Sequence, residues 1–455
     1  MTSRVKSMTS GQPLPLILGF SLPLMAGNVF QQLYIVVDTA VVGKALGVDA
    51  LAALGAVDWL NWMMLGIVQG FTQGFAIRMA NNFGAGHQED LRQTVGASAL
   101  LSALCSALLL VLGQLLALPA LRVLQTPEDI LPYSLLYLRI MFAGIPIVTA
   151  YNLFASILRS LGDGRTPLEA MVTASFTNIA LDLLFVLVFR WGIAGAAAAT
   201  LIAQALSGVF CLVRLGRLDI LRLEKRHFRL SPWLSWRLTV LGLPMSLQNA
   251  IIALGGMIIQ RVVNRYGVVF IAGFTAANKL YGILEIAATS YGYAMVTYTG
   301  QNLGAERIDR IKSGMRSALL VALGTSLVIC AVMLLFGRLI LGLFISGTPE
   351  QVRAATDTAY RYLSTMSLCL PVLYVLHVTR SAIQGMGNTV LPMLSGLAEF
   401  CMRTSIVLLL PGLIGETGIF LAEVSSWAGA DVILIPSYLI MVKRLSEYHA
   451  IKKTV

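Results

Sequence analysis

TNIALDLLFVLVFRWGIAGAAAATLIAQ, residues 177–204, holds one acid and one base in two apolar runs that meet at Arg190 and Gly192. Extended by their flanks, the runs reach about 20 residues, the length of helix that crosses a bilayer. They are apolar around the whole helix circumference, not along one stripe, so they belong inside a membrane or a very large core. Composition selects the membrane. Apolar residues are 57% of the 455-residue chain, charged residues only 12%, and mean hydropathy is +0.79. A soluble domain needs about a quarter of its residues charged to cover its surface. The fold class predicted is therefore an all-α membrane protein.

Working outward from 177–204, twelve such spans are expected. They lie near 14–43, 51–77, 94–118, 132–158, 168–190, 193–215, 238–264, 271–297, 314–344, 358–383, 392–413 and 417–442. The N-terminus reads as a first span, not a cleavable leader, because the apolar run from Leu14 is too long for a signal h-region. Twelve spans put both termini on one side. That side holds most of the basic residues: Arg4, Lys6, Arg78, Arg92, Arg159, Arg165, Arg307, Arg310, Lys312, Arg316, Arg380, the cluster from Arg214 to Arg237 and the tail from Lys443 to Lys453. By the positive-inside rule it is the cytoplasmic side. The net charge of +11 is thereby explained without a nucleic-acid partner, and no basic-aromatic groove or recognition helix is present. Cys105, Cys211, Cys330, Cys369 and Cys401 all fall inside spans, without metal spacing, and read as small packing residues.

The chain repeats itself. NNFGAG (81–86) answers QNLGAE (301–306), and RSLGDGRTP (159–167) answers QGMGNTVLP (384–392). Pro146 matches Pro371, Gly47 matches Gly267, and Gly195 matches Gly418. Two lobes follow: residues 1–216 with spans 1–6, and 237–455 with spans 7–12, joined by a cytoplasmic linker at 217–236. Six spans per lobe make the repeat parallel, with a pseudo-twofold along the membrane normal. Such duplication is characteristic of transporters that bind a substrate between their halves.

Ionisable groups inside spans are costly and mark function. Asp38 lies in span 1 and Asp182 in span 5. Asn178 and Asp182 share a helix face through their i, i+4 spacing, and Thr200 lies in span 6. Counting ~1.5 Å per residue from the span ends puts all of them at one depth. Two carboxylates, an amide oxygen and a hydroxyl suit either a hard cation that wants oxygen ligands or a proton shared by paired acids. Polar glue between helices is the plainer reading, but glue usually employs neutral side chains. Pro23 in span 1 removes a backbone donor, so a kink or hinge is expected there.

PLMAGNVFQQLYIVVDTAVVG (23–43), LAALG (51–55), the FGAG loop, RSLGDGRTPLEA (159–170) and residues 177–204 together resemble the multidrug and toxic compound extrusion (MATE) family. The resemblance spans essentially the whole chain and is greatest to the DinF-like and archaeal-type branch. It implies that Asp38, Asn178, Asp182 and Thr200 bind the coupling cation, H+ or Na+, with the Ala196 carbonyl as a further ligand. Another branch places a carboxylate in span 7, where this chain has only Gln248, Asn249 and Gln260. The resemblance also implies a substrate cavity between the lobes. Its candidate lining is Tyr34, Trp59, Trp62, Gln69, Asn249, Tyr281, Glu285 and Tyr291, since aromatic faces attract organic cations. Asp58 and Glu285 are lone acids in spans 2 and 8.

The second lobe differs from the first at the matched positions. Asn178 maps to Arg403 and Thr200 to Glu423, while Asp38 and Asp182 map to Ile258 and Val407. A fixed ion pair of Arg403 with Glu399 and Glu423 is expected in place of an exchangeable cation. No Walker lysine and no nucleophile–base constellation occurs, so neither ATP drive nor enzymatic catalysis is expected. The function expected is a monomeric, cofactor-free antiporter in the cell membrane that exports organic, often cationic, compounds. The alternative within the same superfamily is a flippase for lipid-linked precursors. That function calls for more cationic cavity residues than Lys279 supplies.

Overall fold

Residues 5–342, 345 and 348–454 are described in this computed structural model; Arg4, read above as cytoplasmic, lies outside them. The first half holds α1 (Pro13–Leu46), α2 (Val48–Gly84), α3 (Gln88–Val123), α4 (Leu131–Ala143), α5 (Ile145–Ser160), α6 (Arg165–Asp182) and α7 (Ile193–Gly216). The second holds α8 (Pro232–Val263), α9 (Val268–Gly304), α10 (Ile308–Gly342), α11 (Pro349–Leu368), α12 (Leu370–Gly385), α13 (Val390–Leu409), α14 (Pro411–Ile414) and α15 (Thr417–Thr454). No strand occurs among the described residues.

Nine of the described helices are long and apolar enough to cross a membrane, and eleven spans result when α4–α5 and α11–α12 each count as one. The 37-residue α2, which carries Asp49, Asp58 and Arg78 and was expected to hold the span near 51–77, is not among these eleven. The lipid-facing surface is plain on α10, where Leu320, Leu327, Val328, Leu335 and Leu339 are all at least 60% exposed. Their spacing of seven and eight residues lines them along one helix face.

Two expected straight spans are broken. α4 meets α5 at 47° and α11 meets α12 at 49°. Pro146 and Pro371 sit in the first turn of α5 and α12. A proline fits there because its missing N–H is already without a helical acceptor, and it stops the preceding helix from running through. The repeat therefore includes its bends. It also includes its turns: Gly192 and Gly415, which precede α7 and α15, have φ/ψ of 63°/−145° and 64°/−145°.

Two compact units form. The first contains the residues up to Ser7 together with Leu22–Ser246; the second contains Met8–Ser21 and Leu247–Val455. Within the first, α2 packs on α3, α4 and α5, α3 on α4 and α5, and α7 on α4, α5 and α6. Within the second, α9 packs on α10, α11 and α12, α10 on α11 and α12, and α15 on α11, α12 and α13. Each pairing in one has its counterpart in the other.

The boundary falls later than the linker at 217–236. The start of α8 belongs to the first unit because small residues let it press on α2. A Cβ on Gly74 would lie 2.4 Å from Gly242 Cα, one on Gly70 would lie 2.4 Å from Ser246 N, and Ser246 Oγ donates to Ile67 O at 2.8 Å. Close backbone approach through small residues is a common way for membrane helices to associate. The linker is folded onto α3. Arg92 Nε donates to Ile220 O at 3.0 Å, and the buried His227 contacts Glu89 through Nε2 at 3.2 Å. Within the second unit, Met8 N–H donates to Gln301 Oε1 at 2.8 Å, and the Met8 carbonyl accepts from Asn302 and Arg310.

Candidate cation-binding site

The first unit brings Asp38 from α1, Asn178 and Asp182 from α6, and Thr200 from α7 into one cluster. Asn178 and Asp182 are 1% and 0% exposed. Asn178 Nδ2 donates to Thr200 Oγ1 at 3.4 Å. The Asp38 and Asp182 carboxyls lie within hydrogen-bonding reach of each other. Yet both Asp182 oxygens, Asn178 Oδ1 and Asp38 Oδ1 are buried with no donor among the described residues. Buried acceptors are normally satisfied, and an unmet one costs about 1–3 kcal/mol or more when charged. Four such oxygens in one cluster are what a proton or a cation would satisfy. Ala196 is fully buried in the first turns of α7. Its carbonyl faces the Thr200 N–H along the helix and keeps one lone pair for another partner.

Local structure explains the position of Asp182. It is the last residue of α6, and the chain continues as a π-helical turn, Leu183–Val188. Such widened turns concentrate at functional sites because they re-aim side chains and loosen the hydrogen-bond ladder. Behind it, Phe185, Phe189 and Trp191 stack with ring centroids 4.7–5.9 Å apart. A Cβ on Gly195 would lie 3.1 Å from Phe185 Cβ, so the glycine lets α7 start close beneath the rings.

Sequence reasoning missed two residues of this site. Tyr137 on α4, 8% exposed, is within electrostatic reach of Asp38, Asp58, Tyr34 and Asp182. Gln204, one turn beyond Thr200 on α7, has a buried Oε1 without a donor and lines the same cavity as Gln31, Tyr34, Asn178 and Thr200. An i, i+4 reading from Thr200 along GAAAATLIAQ would have found Gln204. Nothing in YSLLYLRIMF marks Tyr137 apart from its polar tip.

The candidate cavity residues divide. Tyr34 lines the cavity just described. Trp59 and Trp62 form an edge-to-face pair at 6.4 Å, with Trp62 exposed, and Gln69 and Asn249 are half-buried. Tyr281 stacks on Trp427 at 5.8 Å, and Glu285 meets His377 Nε2 at 3.3 Å. Tyr291 is not on a surface at all. It is 3% exposed, with its hydroxyl on Thr325 at 2.8 Å and its ring edge-on to Tyr374. Its helix period, not its chemistry, turns it inward.

The second unit holds a different cluster. Arg403 Nη2 lies 2.7 Å from Glu423 Oε1 and 3.9 Å from Glu399 Oε2. The closer partner of Glu399 is Arg380, which also donates to Ser395 Oγ at 3.1 Å. Arg380 is thus not one of the loop residues that set orientation: it is 7% exposed, inside the unit. The Gln248 amide, with its oxygen toward the guanidinium, accepts from Arg380 Nε at 3.1 Å and Nη1 at 3.3 Å. A Cβ on Gly255 would lie 3.2 Å from Arg403 Nη1, so glycine makes room for the guanidinium against α8.

The family model MatE matches the chain twice, over residues 23–184 and 244–408, once in each half. "Probable multidrug resistance protein YpnP" of Bacillus subtilis is 30% identical over 416 residues, covering 90% of this chain and 91% of that one. The "FAD transporter" of Shewanella oneidensis is 26% identical over 79% of this chain and 78% of that one. Among solved structures, a MOP superfamily transporter from Pyrococcus furiosus superposes with a TM-score of 0.91 at 22% identity, covering 98% of this chain and 99% of that one. The chain belongs to the MatE family, the multidrug and toxic compound extrusion transporters.

Proposed function

We propose that this transporter is an antiporter that exports organic compounds, in which a proton binding at Asp38 and Asp182 drives the substrate off. The observation that carries the reading is the group of four buried oxygens on Asp38, Asn178 and Asp182 that lack a donor among the described residues. A shared proton relieves the repulsion between two neighbouring carboxylates and needs no further ligands. A sodium ion would want several oxygens more. The names of the curated relatives, multidrug resistance and multidrug export proteins, support small organic substrates. Taking the basic loops as cytoplasmic, both termini lie inside the cell.

The coupling follows from linkage. A proton arriving at the pair draws α1 and α6 together, and only a state in which the two carboxyls meet benefits from it. Substrate that prefers the other state is bound more weakly by the same factor. Thr200 and Asn178 position the pair through their own hydrogen bond, and Tyr34 borders both the pair and the cavity.

The test is export of a fluorescent organic cation from proteoliposomes under separately imposed H+ and Na+ gradients. A proton gradient alone should suffice. Asp38→Asn and Asp182→Asn should each reduce gradient-driven transport at least tenfold while the protein remains folded in the bilayer. Transport that follows Na+ at constant pH would overturn the choice of ion. Wild-type rates in both variants would overturn the site.

A further inference from the structure

We propose that Asp431 is a second proton-binding site, seated in the charge cluster inside the second unit and separate from the Asp38–Asp182 pair. The cluster does not balance. Arg380 and Arg403 supply two guanidinium groups, while Glu399, Glu423 and Asp431 supply three carboxyls. All but Glu423 are at least nine-tenths buried, and the Glu423 side chain is 16% exposed. Glu399 takes Arg380, and Glu423 takes Arg403. Asp431 is left over.

Arg380 is the one neighbour that favours a negative charge there, and it forms no ion pair with Asp431 among the described residues. Asp431 is 7% exposed, and its Oδ1 is buried without a donor among the described residues. The other donors of Arg380 already point at Ser395 and Gln248. The charged groups that face Asp431 are Arg380 from α12 and Glu399 from α13. From α10, Arg316 acts two turns further along α15, on Tyr438. From α11, Tyr362 faces the ring of Phe420 on the opposite stretch of α15. A buried carboxylate beside another carboxylate is expensive. A bound proton removes the cost. A metal ion suits the place less: among the described residues no three acidic, histidine or cysteine side chains are arranged to hold one, and a guanidinium stands next to it.

Helix geometry links the site to the rest of the unit. Glu423, Trp427 and Asp431 are spaced i, i+4 and i+8 on α15, along one face. Trp427 is 1% exposed and stacks on Tyr281. When Asp431 gives up its proton, it competes with Glu399 for Arg380. Arg380 then has two carboxylates to choose between, and a shift of its guanidinium is read out by Gln248 at the start of the second unit's part of α8. The second unit thereby has its own proton-dependent step. It rests on residues that the first site does not use.

The experiment removes the first site to isolate the second. In an Asp38→Asn/Asp182→Asn background, infrared spectra of the full-length protein in liposomes should show a protonated-carboxyl C=O band at neutral pH. The band should be lost on adding Asp431→Asn and kept on adding Glu285→Gln. A background without such a band, or a band that survives Asp431→Asn, overturns the proposal. Thermal unfolding in detergent supplies a second reading, because Asn has the shape of a protonated Asp. At pH 7 Asp431→Asn should keep the background's unfolding midpoint. A native state that holds a proton loses stability as pH rises through that group's titration. The midpoint of the parent should therefore fall on alkalinisation, and that of Asp431→Asn should fall less. A variant that fails to fold or loses its midpoint would show that Asp431 acts as a paired carboxylate, and this also overturns the proposal.

Discussion

At the scale of single residues, two signals were legible. The i, i+4 spacing of Asn178 with Asp182 and of Glu399 with Arg403 follows from the helix period, and the repeat pointed to Glu423 as the partner of Arg403 on another helix. Arg380 had no such signal: α12 brings it closer to Glu399 than Arg403 is, with Ser395 and Gln248 completing its donors. Arg380 had the look of a loop residue because it lies five positions before the end of α12 at Gly385. Hydropathy cannot tell a helix end that faces water from one enclosed by its own lobe. The Arg403–Glu423 pair is nevertheless open to a direct test. Arg403→Met should cost about 3–5 kcal/mol of unfolding free energy in detergent, since Glu423 is left charged and unpaired. Arg403→Met with Glu423→Leu should recover most of that loss. Denaturant titration of the two variants against wild type measures both.

Among elements, the spans and their matched prolines were legible because each rests on local composition. The bends at Gly144 and Cys369 were not, although Pro146 and Pro371 marked the places: a proline says that a helix must yield, not in which direction or by how much. The π turn after Asp182 had no signal, since LLFVLV holds neither glycine nor proline. The linker was legible as basic and exposed, but not as folded. It docks on α3 through Glu89, His227 and Arg226. His227 Nδ1 accepts the Glu224 N–H at 2.8 Å, so in this arrangement the ring proton is on Nε2, facing Glu89. Partial desolvation by itself would raise the Glu89 pKa, but Arg226 and His227 outweigh it and hold the carboxyl below its usual range. A carboxyl of this kind contributes stability above its unfolded pKa and loses it as pH falls through the folded value. The linker should loosen in acid, below about pH 4. A spin label at Leu223 should gain mobility over that interval, and Glu89→Gln should give the mobile spectrum already at pH 7.

Across the whole molecule, duplication makes the two units alike in packing while their polar interiors differ in kind. In the first, two acids face each other with no cation beside them, and three of their oxygens are buried without a donor among the described residues. In the second, two guanidinium groups neutralise two of the three acids. The repeat was legible from the paired loop motifs, and so was the exchange of Asn178 and Thr200 for Arg403 and Glu423. The energetic consequence can be read only from the orphaned atoms. Residues kept for coupling should cost stability, and residues kept for structure should supply it. Asp182→Asn removes one of two facing carboxyls and offers an amide donor to its neighbour, so the unfolding midpoint in detergent should hold steady or rise while transport is lost. Glu399→Gln takes the charge from a buried partner of Arg380, and its cost should be about 3–5 kcal/mol. Measured side by side at pH 7, the two substitutions should move the midpoint in opposite directions, or the first not at all. A drop for Asp182→Asn as large as that for Glu399→Gln would mean that the first unit's acids are structural after all, and the division of labour between the units would fail with it.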